Sequence, residues 1–156
     1  MYPKKYYLMN QLVEKVNFLK KNNETIGFAN GCFDLLHDGH ISLIYNARLQ
    51  CDYLIIGLNS DLSVKNLKGE KRPIDDQYKR ILKLSNIDEV DAVILFSDNT
   101  PIEIIKKIKP DILFKGSDYK GKKIIGSDIV INNGGKIKLI DILSNFSTTK
   151  IINDLN

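Results

Sequence analysis

The chain has 156 residues, 43% of them hydrophobic, which suits one packed domain, since a chain of this length buries roughly two thirds of its extended surface. Its 23 basic and 19 acidic residues give a net charge of +4, and the lysines are dispersed, which favours small anionic ligands over nucleic acid. Cys32 and Cys51 have no paired spacing, which argues against a disulfide framework. We therefore expect a single cytosolic domain, residues 1–156, without a signal peptide or membrane span.

The first predicted element is a helix. Leu8, Leu12, Val16 and Leu19 recur at the spacing of one helical face, so residues 1–22 should hold a helix that covers the core at 24–156 or packs across subunits. An apolar run at residues 26–29, followed by Asn and Gly, predicts a strand that ends in a tight loop. A helix should then begin near residue 38 or 39 and end near residue 49.

The middle of the chain continues the alternation of strands and helices. Residues 53–58 are nearly all apolar, as in a parallel strand covered on both faces, and they precede a polar loop at 59–61. Residues 65–73 are basic and irregular, which predicts a mobile loop. A helix over 75–85 and a buried strand over 92–96 should follow.

In the last third of the chain, the capping residues of one more helix can be recognised in the sequence. Thr100 as N-cap, Pro101 at the first helical position and Glu103 three residues after the cap predict that a helix begins here. The other expected elements are two strands and a terminal helix, over residues 112–114, 136–140 and 148–156. The whole pattern predicts a right-handed, doubly wound, Rossmann-like parallel sheet of about five strands with helices on both faces.

Both histidines of the chain lie in one predicted strand-to-helix turn. His37 and His40 stand three residues apart at the helix start, with Gly39 between them. Backbone N–H groups and the positive end of the helix dipole face such a turn, and Gly39 lets a phosphate approach the main chain. Ligands of doubly wound sheets bind beyond the carboxyl ends of the strands. The turn is therefore predicted to bind phosphate, with ordinary surface histidines or a zinc site lacking an evident third ligand as alternatives.

Two motifs together resemble the cytidylyltransferase-like nucleotidyltransferase superfamily. The first is Gly-Cys-Phe-Asp-Leu-Leu-His-Asp-Gly-His at residues 31–40, and the second is Ser-Thr-Thr-Lys-Ile-Ile at residues 147–152. In that superfamily the hydroxyls of the second motif and a helix N-terminus hold the triphosphate. Taken alone, Ser147 or Thr148 could be a simple N-cap.

Further segments resemble the adenylyltransferase domain of bacterial ADP-heptose synthase, over about residues 26–152. They are residues 59–61, 67–73, 115–119, 125–127 and 133–135. The family usually has Gly at position 117 and Gly-Cys at 145–146, where this chain has Ser and Asn-Phe. The resemblance implies transfer of AMP from ATP to a sugar 1-phosphate, D-glycero-beta-D-manno-heptose 1-phosphate, with release of pyrophosphate, for lipopolysaccharide or a related surface sugar.

The resemblance also implies partners and residue roles. Mg²⁺ should be carried on the ATP phosphates with no metal site on the protein, a separate sugar kinase should make the substrate, and related enzymes are often homodimers. His37 and His40 are expected on the alpha and beta phosphates, with Lys68 and Arg80 as further catalytic residues. The expected nucleotide-binding residues are Phe28, Ala29, Gly31, Cys32, Gly39, Lys65, Lys115, Gly116, Asp118, Ser147, Thr148 and Thr149.

Some of these residues have a simpler alternative. Asp34 and Asp61 each follow a strand and are expected to bind sugar hydroxyls or to orient the loop, unless they are turn or cap acids. Lysines on a loop, such as Lys65 and Lys68, are usually solvated. Cys32 is expected to fill space rather than to act as a nucleophile, because the reaction needs no covalent step.

Two rival functions remain open at this stage. An enzyme similar to glycerol-3-phosphate cytidylyltransferases would share the histidine motif and the Ser-Thr-Thr-Lys-Ile segment, but that family usually has Arg-Thr where this chain has Ile-Leu-Ser-Asn-Phe at 142–146. A non-catalytic nucleotide- or RNA-binding module would use the basic residues 65–72. The chain has no alternation of basic and aromatic residues that would support this second rival.

Overall fold

The computed structural model describes residues 1–141, and these contain a five-stranded parallel sheet. The strands are β1 (Ile26–Gly31), β2 (Tyr53–Asn59), β3 (Ala92–Phe96), β4 (Ile112–Gly116) and β5 (Lys136–Ile140). Their order across the sheet is β3-β2-β1-β4-β5, and every neighbouring pair is parallel. The prediction of a Rossmann-like parallel sheet is confirmed.

Six helices and one short 3-10 turn, Ser117–Tyr119, connect the strands of the described part. The helices are α1 (Met9–Lys21), α2 (Asp38–Arg48), α3 (Asp61–Lys68), α4 (Gln77–Ser85), α5 (Ile102–Ile108) and α6 (Ser127–Asn132). Successive strand residues point to opposite faces, so Phe28 packs with α1, α5 and α6, whereas Ala29 packs with α2 and α4. Two apolar layers therefore bury the sheet from both sides.

The N-terminal helix packs on the core of its own chain. Leu12, Val16 and Leu19 are buried against the first of these apolar layers, while Leu8 remains 55% exposed. Before the helix, Tyr6 forms a parallel bridge to Val93 and lengthens the contact with the sheet. Of the two arrangements left open by the sequence, the structure shows packing within the chain.

The predicted mobile loop at 65–73 is wrong in its first half, because helix α3 extends to Lys68. Ser60 is its N-cap, and its hydroxyl accepts a hydrogen bond from the Ser63 amide at 3.2 Å. The helix ends at Gly69, whose φ of 103° is unfavourable for any residue with a side chain. The helix is short and buries only Ser63 and Val64, so its apolar periodicity is weak.

Two further differences concern helix ends. Helix α5 begins at Ile102, with Pro101 in the N-cap position and no side-chain cap bond, so Thr100 is not the cap that its position suggested. Helix α6 was not predicted. The expected terminal helix at 148–156 lies outside the described residues.

Within residues 1–141, no helix has the length and apolar character needed to cross a bilayer.

Candidate active site at the carboxyl edge of the sheet

A cavity of about 600 Å³ opens where β1 and β4 cease to pair. Strand β1 pairs with β2 along its whole length, but with β4 only at Gly27 and Phe28. This is the point at which the strand order reverses, the usual ligand site of such sheets. Among residues 1–141, the cavity is lined by Asn30, Gly31, Cys32, Phe33, Asp34, Leu35, His37, His40, Asn59, Leu67, Lys68, Arg72, Asn99, Thr100, Pro101, Lys115, Tyr119, Lys123 and Ile125.

The turn between β1 and α2 contains a strained residue. Phe33 has a φ of 44°, in the left-handed region that costs a residue with a side chain on the order of 1–3 kcal/mol. Its ring is buried in the apolar layer under α2 and lies 4.9 Å, centroid to centroid, from the His40 ring. Core packing therefore holds the turn in the shape that presents its polar residues to the cavity.

The two histidines form a reciprocal cap at the start of α2. His37 Nδ1 accepts hydrogen bonds from the Gly39 and His40 amides, at 3.1 and 3.4 Å, and His40 Nδ1 accepts from the His37 amide at 3.3 Å. A ring nitrogen that accepts carries no proton, so each neutral imidazole has its N–H at Nε2. The rings stack at 3.7 Å between centroids. The site therefore has two neighbouring Nε2 donors and two committed Nδ1 acceptors.

His40 is neutral at physiological pH. Its pKa is lowered to about 4, mainly by burial and then by the nearby His37 and Lys68, while Asp38 acts in the opposite direction. A neutral imidazole has one N–H donor, and that donor is the Nε2 group left free by the capping bonds. The protonation state that the sequence left open is thus decided for His40.

The basic residues of the cavity come from two sides. Lys68, at the end of α3, and Arg72, in the loop after it, lie on one side; Lys115 at the end of β4 and Lys123 lie on the other. Burial lowers the pKa of Lys115, and its ammonium group lies 5.0 Å from the centroid of the Tyr119 ring. Four cations around one cavity suit a polyanionic ligand.

The cavity includes some of the predicted site residues and leaves out others. Those on its wall are Gly31, Cys32, Asp34, His37, His40, Lys68 and Lys115. Phe28 and Ala29 are buried in the two core layers below it, since they lie in the paired interior of β1. Gly39, Lys65, Gly116 and Asp118 are close to wall residues in sequence but do not line the cavity. Ser147, Thr148 and Thr149 lie outside the described residues.

Arg80 and Asp61 do not line the cavity as residues 1–141 form it, and their predicted contacts with phosphate and sugar stay predictions. Arg80 is 1% exposed, and its guanidinium donates to the carbonyls of Asp75, Cys32 and Asn59 and, at 2.8 Å, to the Asp61 carboxylate. These partners lie at the ends of β1 and β2 and before α4. Arg80 therefore joins the segments that carry the site, and Asp61 completes its set of partners.

The Asp34 carboxylate is bonded to the loop after α3, while its predicted contact with sugar hydroxyls stays a prediction. One carboxylate oxygen accepts from the Ile74 and Asp75 amides, at 2.8 and 3.0 Å, and the other accepts from Arg72 Nε. Burial alone would raise the pKa of this carboxyl, but the bonds from Arg72, Asp75 and Ile74 outweigh it and hold the pKa below its ordinary value. The loop after α3 is thereby tied to the turn that carries His37.

Acid should weaken this tie. A carboxyl whose pKa is lower in the folded state stabilises the fold above the unfolded-state pKa of ~3.9, and this stability is lost as pH falls through the folded-state value. We expect the stability difference between the wild type and Asp34→Asn to be constant above about pH 5 and to shrink below about pH 4. Urea unfolding between pH 7 and pH 3 measures it. A constant difference across this range, or the same trend for Glu70→Gln in the same loop, would contradict the assignment.

Several wall residues were missed by the sequence analysis. Asn30 lies at the end of β1 on the cavity wall, and its side-chain Oδ1 is buried without a hydrogen-bond partner among the described residues. Arg72 lies within the segment 67–73 that resembles the family. The sequence therefore indicated that this segment matters, but it did not indicate that Arg72 lines the cavity. Asn99, Thr100 and Lys123 carry no local signal, because distant turns bring them to the cavity.

Within residues 1–141, no group of three or more His, Cys, Asp or Glu side chains is placed to hold a metal ion. Asp34 is the acidic residue of the cavity wall, and both of its oxygens already accept hydrogen bonds. The wall formed by the described residues offers imidazole N–H donors and cations.

The profile of the cytidylyltransferase-like family matches residues 28–154, a span that includes both histidines and most of the cavity wall. The chain belongs to the cytidylyltransferase-like family. Its members are nucleotidyltransferases, and the paired Nε2 donors beside four cations suit the phosphate groups that such enzymes handle.

Curated relatives refine this placement. Bifunctional protein HldE of Rhodospirillum rubrum is 47% identical over 139 residues, which is 89% of this chain and 28% of that protein. Bifunctional protein HldE of Campylobacter jejuni is 49% identical over 139 residues, or 89% of this chain and 29% of that protein. The chain thus spans less than a third of the length of these relatives.

Solved structures agree with the fold. A lipopolysaccharide core biosynthesis protein from Thermoplasma volcanium aligns with a TM-score of 0.63 and 27% identity, over 80% of this chain and 99% of that one. Pantoate-beta-alanine ligase from Francisella tularensis aligns with a TM-score of 0.63 over 87% of this chain and 66% of that one. At 19% identity, the second likeness concerns the fold alone.

Proposed function

We propose that this chain transfers AMP from ATP to D-glycero-beta-D-manno-heptose 1-phosphate, giving an ADP-heptose and pyrophosphate. The observation that carries the proposal is the His37–His40 pair, whose two Nε2 groups are free to donate. The pair lines the same cavity as Lys68, at the point where the strand order reverses. The 47–49% identity to HldE proteins supports the choice of nucleotide and sugar. Because the match spans under a third of those proteins, their other activity is not assigned to this chain.

The reaction is a displacement at the alpha phosphorus of ATP. An oxygen of the sugar phosphate forms the new P–O bond while the bond to the bridging oxygen breaks, and pyrophosphate leaves with the electron pair and negative charge. Protein groups contribute mainly position and electrostatic stabilisation. His37 and His40 would donate from Nε2 to phosphate oxygens, and in the free protein the lowered pKa of His40 leaves Nε2–H as its one N–H donor. Lys68 would stabilise the charge that develops on the leaving group.

The nucleoside of ATP would lie against Lys115 and Tyr119, with the unpaired Asn30 oxygen as an acceptor. Ser147, Thr148 and Thr149 would hold the beta and gamma phosphates. ATP would enter with Mg²⁺ bound to its phosphates and retaining several waters. A separate sugar kinase would supply the heptose 1-phosphate, and a homodimer is the proposed assembly.

A four-way assay tests the proposal. The purified chain would be given ATP or CTP, each with heptose 1-phosphate or glycerol 3-phosphate, in the presence of Mg²⁺, and pyrophosphate release would be measured. We expect the highest kcat/KM for ATP with the heptose phosphate. A preference for CTP and glycerol 3-phosphate would replace the proposal by the cytidylyltransferase alternative. Nucleotide binding without pyrophosphate release from any pair would favour a non-catalytic module.

A further inference from the structure

Arg72 lines the cavity, and one end of its guanidinium is held by a buried carboxylate. Its Nε donates to Asp34, whose side chain is only 1% exposed, whereas the Arg72 side chain is 35% exposed. Among the described residues, the two Nη groups have no hydrogen-bond partner. The neighbouring Ile74 and Asp75 amides bind the other oxygen of Asp34, so the loop itself is held by the same carboxylate.

This arrangement suits a phosphate. A planar guanidinium can bind two phosphate oxygens side by side, and a side chain that is already oriented loses less freedom on binding than a free one. In this structure Asp34 bonds only to Nε of the guanidinium, and its other oxygen accepts from the Ile74 and Asp75 amides, so within residues 1–141 neither Nη group is bonded to Asp34. Arg72 is therefore prepared to bind an anion inside the cavity.

The position of Arg72 separates it from the groups proposed for ATP. Lys115 and Tyr119, proposed for the nucleoside, come from β4 and the 3-10 turn that follows it. Arg72 comes from the loop after α3, on the opposite side of the histidines in the strand order, together with Leu67 and Lys68. The second substrate carries its own phosphate, which needs a binding group that is not already used by the triphosphate.

We infer that Arg72 binds the phosphate of the acceptor sugar phosphate and that Asp34 positions it for this task. The inference rests on the proposed nucleotidyl transfer and adds a residue that selects a phosphorylated acceptor. Arg72 acts by direct contact with the substrate, while Asp34 acts through Arg72.

Steady-state kinetics with a matched control tests this role. Arg72→Ala should raise the KM for heptose 1-phosphate by about 10-fold or more, the effect expected when a hydrogen bond to a charged group is lost. The KM for ATP should change by less than about two-fold. Lys71→Ala removes the same charge one residue earlier from an exposed side chain outside the cavity wall, and should change neither constant.

Arg72→Lys covers the case in which the alanine variant unfolds. It keeps the charge but loses the two-pronged contact, so it should retain the wild-type Tm and still raise the KM for the sugar phosphate. A rise confined to the KM for ATP, equal rises in both constants, or unchanged constants in both folded variants would overturn the inference. Wild-type protein that releases no pyrophosphate with any substrate pair would instead contradict the proposed function, which makes the two failures distinguishable.

Discussion

Replacement of His37 or His40 by alanine is expected to lower kcat by about 100-fold or more, in line with the loss of a preorganised donor in other enzymes. Each ring points one nitrogen at backbone amides and keeps Nε2–H for a ligand, so alanine removes a donor that no neighbouring side chain replaces. Initial rates of pyrophosphate release at saturating ATP and sugar phosphate measure the effect. If a folded alanine variant turns over at nearly the wild-type rate, the assignment is wrong.

The structure supplies a sharper control for this experiment. His37 is also the N-cap of α2, and loss of a cap alone costs about 1 kcal/mol of stability. Asparagine is a good N-cap whose carbonyl oxygen can take the place of Nδ1, but it has no group at the position of Nε2. We therefore expect His37→Asn to unfold near the wild-type temperature while losing as much activity as His37→Ala. Recovery of activity in the asparagine variant would show that the cap, rather than the donor, matters.

Arg80→Ala is expected to lower the free energy of unfolding by about 3 kcal/mol or more, the range for removal of one partner from a buried ionic group. The change removes the hydrogen-bond donor of the Cys32 and Asn59 carbonyls. It also leaves an empty space where the buried Arg80 side chain had packed near the ends of β1 and β2. Urea unfolding followed by circular dichroism measures the loss. Because Arg80 supports the site from outside, kcat of the fraction that folds should fall less than in the histidine variants.

Lys79→Ala provides the comparison for Arg80. Lys79 precedes it in α4, has the same charge and is exposed, so its removal should change the free energy of unfolding by no more than about 0.5 kcal/mol. Equal effects of the two substitutions would contradict the buried network. An Arg80→Ala variant that kept full stability and lost only kcat would return Arg80 to the phosphate contact first expected from the sequence.

The bounds of two strands and the start of one helix could be predicted from the sequence, because they depend on residues close together in the chain. The strands β3 and β5 have the predicted bounds, since continuous apolar or alternating residues need only a neighbouring strand to pair. The helix after the histidine motif begins where predicted, because the capping bonds of His37 and His40 join residues at most three apart. Helix α3 could not be predicted from periodicity, because few of its residues are apolar and buried. Its N-cap, Ser60, is nevertheless a residue type that favours the start of a helix.

By itself, the sequence determined the alternating sheet, the strand-to-helix turn that holds both histidines and the family, since each depends on residues close in the chain or on a motif. Only the tertiary structure decided which charged residues face the cavity. Arg80 bonds to groups 48 and 21 residues away, and Arg72 bonds to Asp34 across 38 residues. Contacts at such separations depend on how the strand ends meet, so an arginine buried behind the cavity and one on its wall cannot be told apart from the sequence.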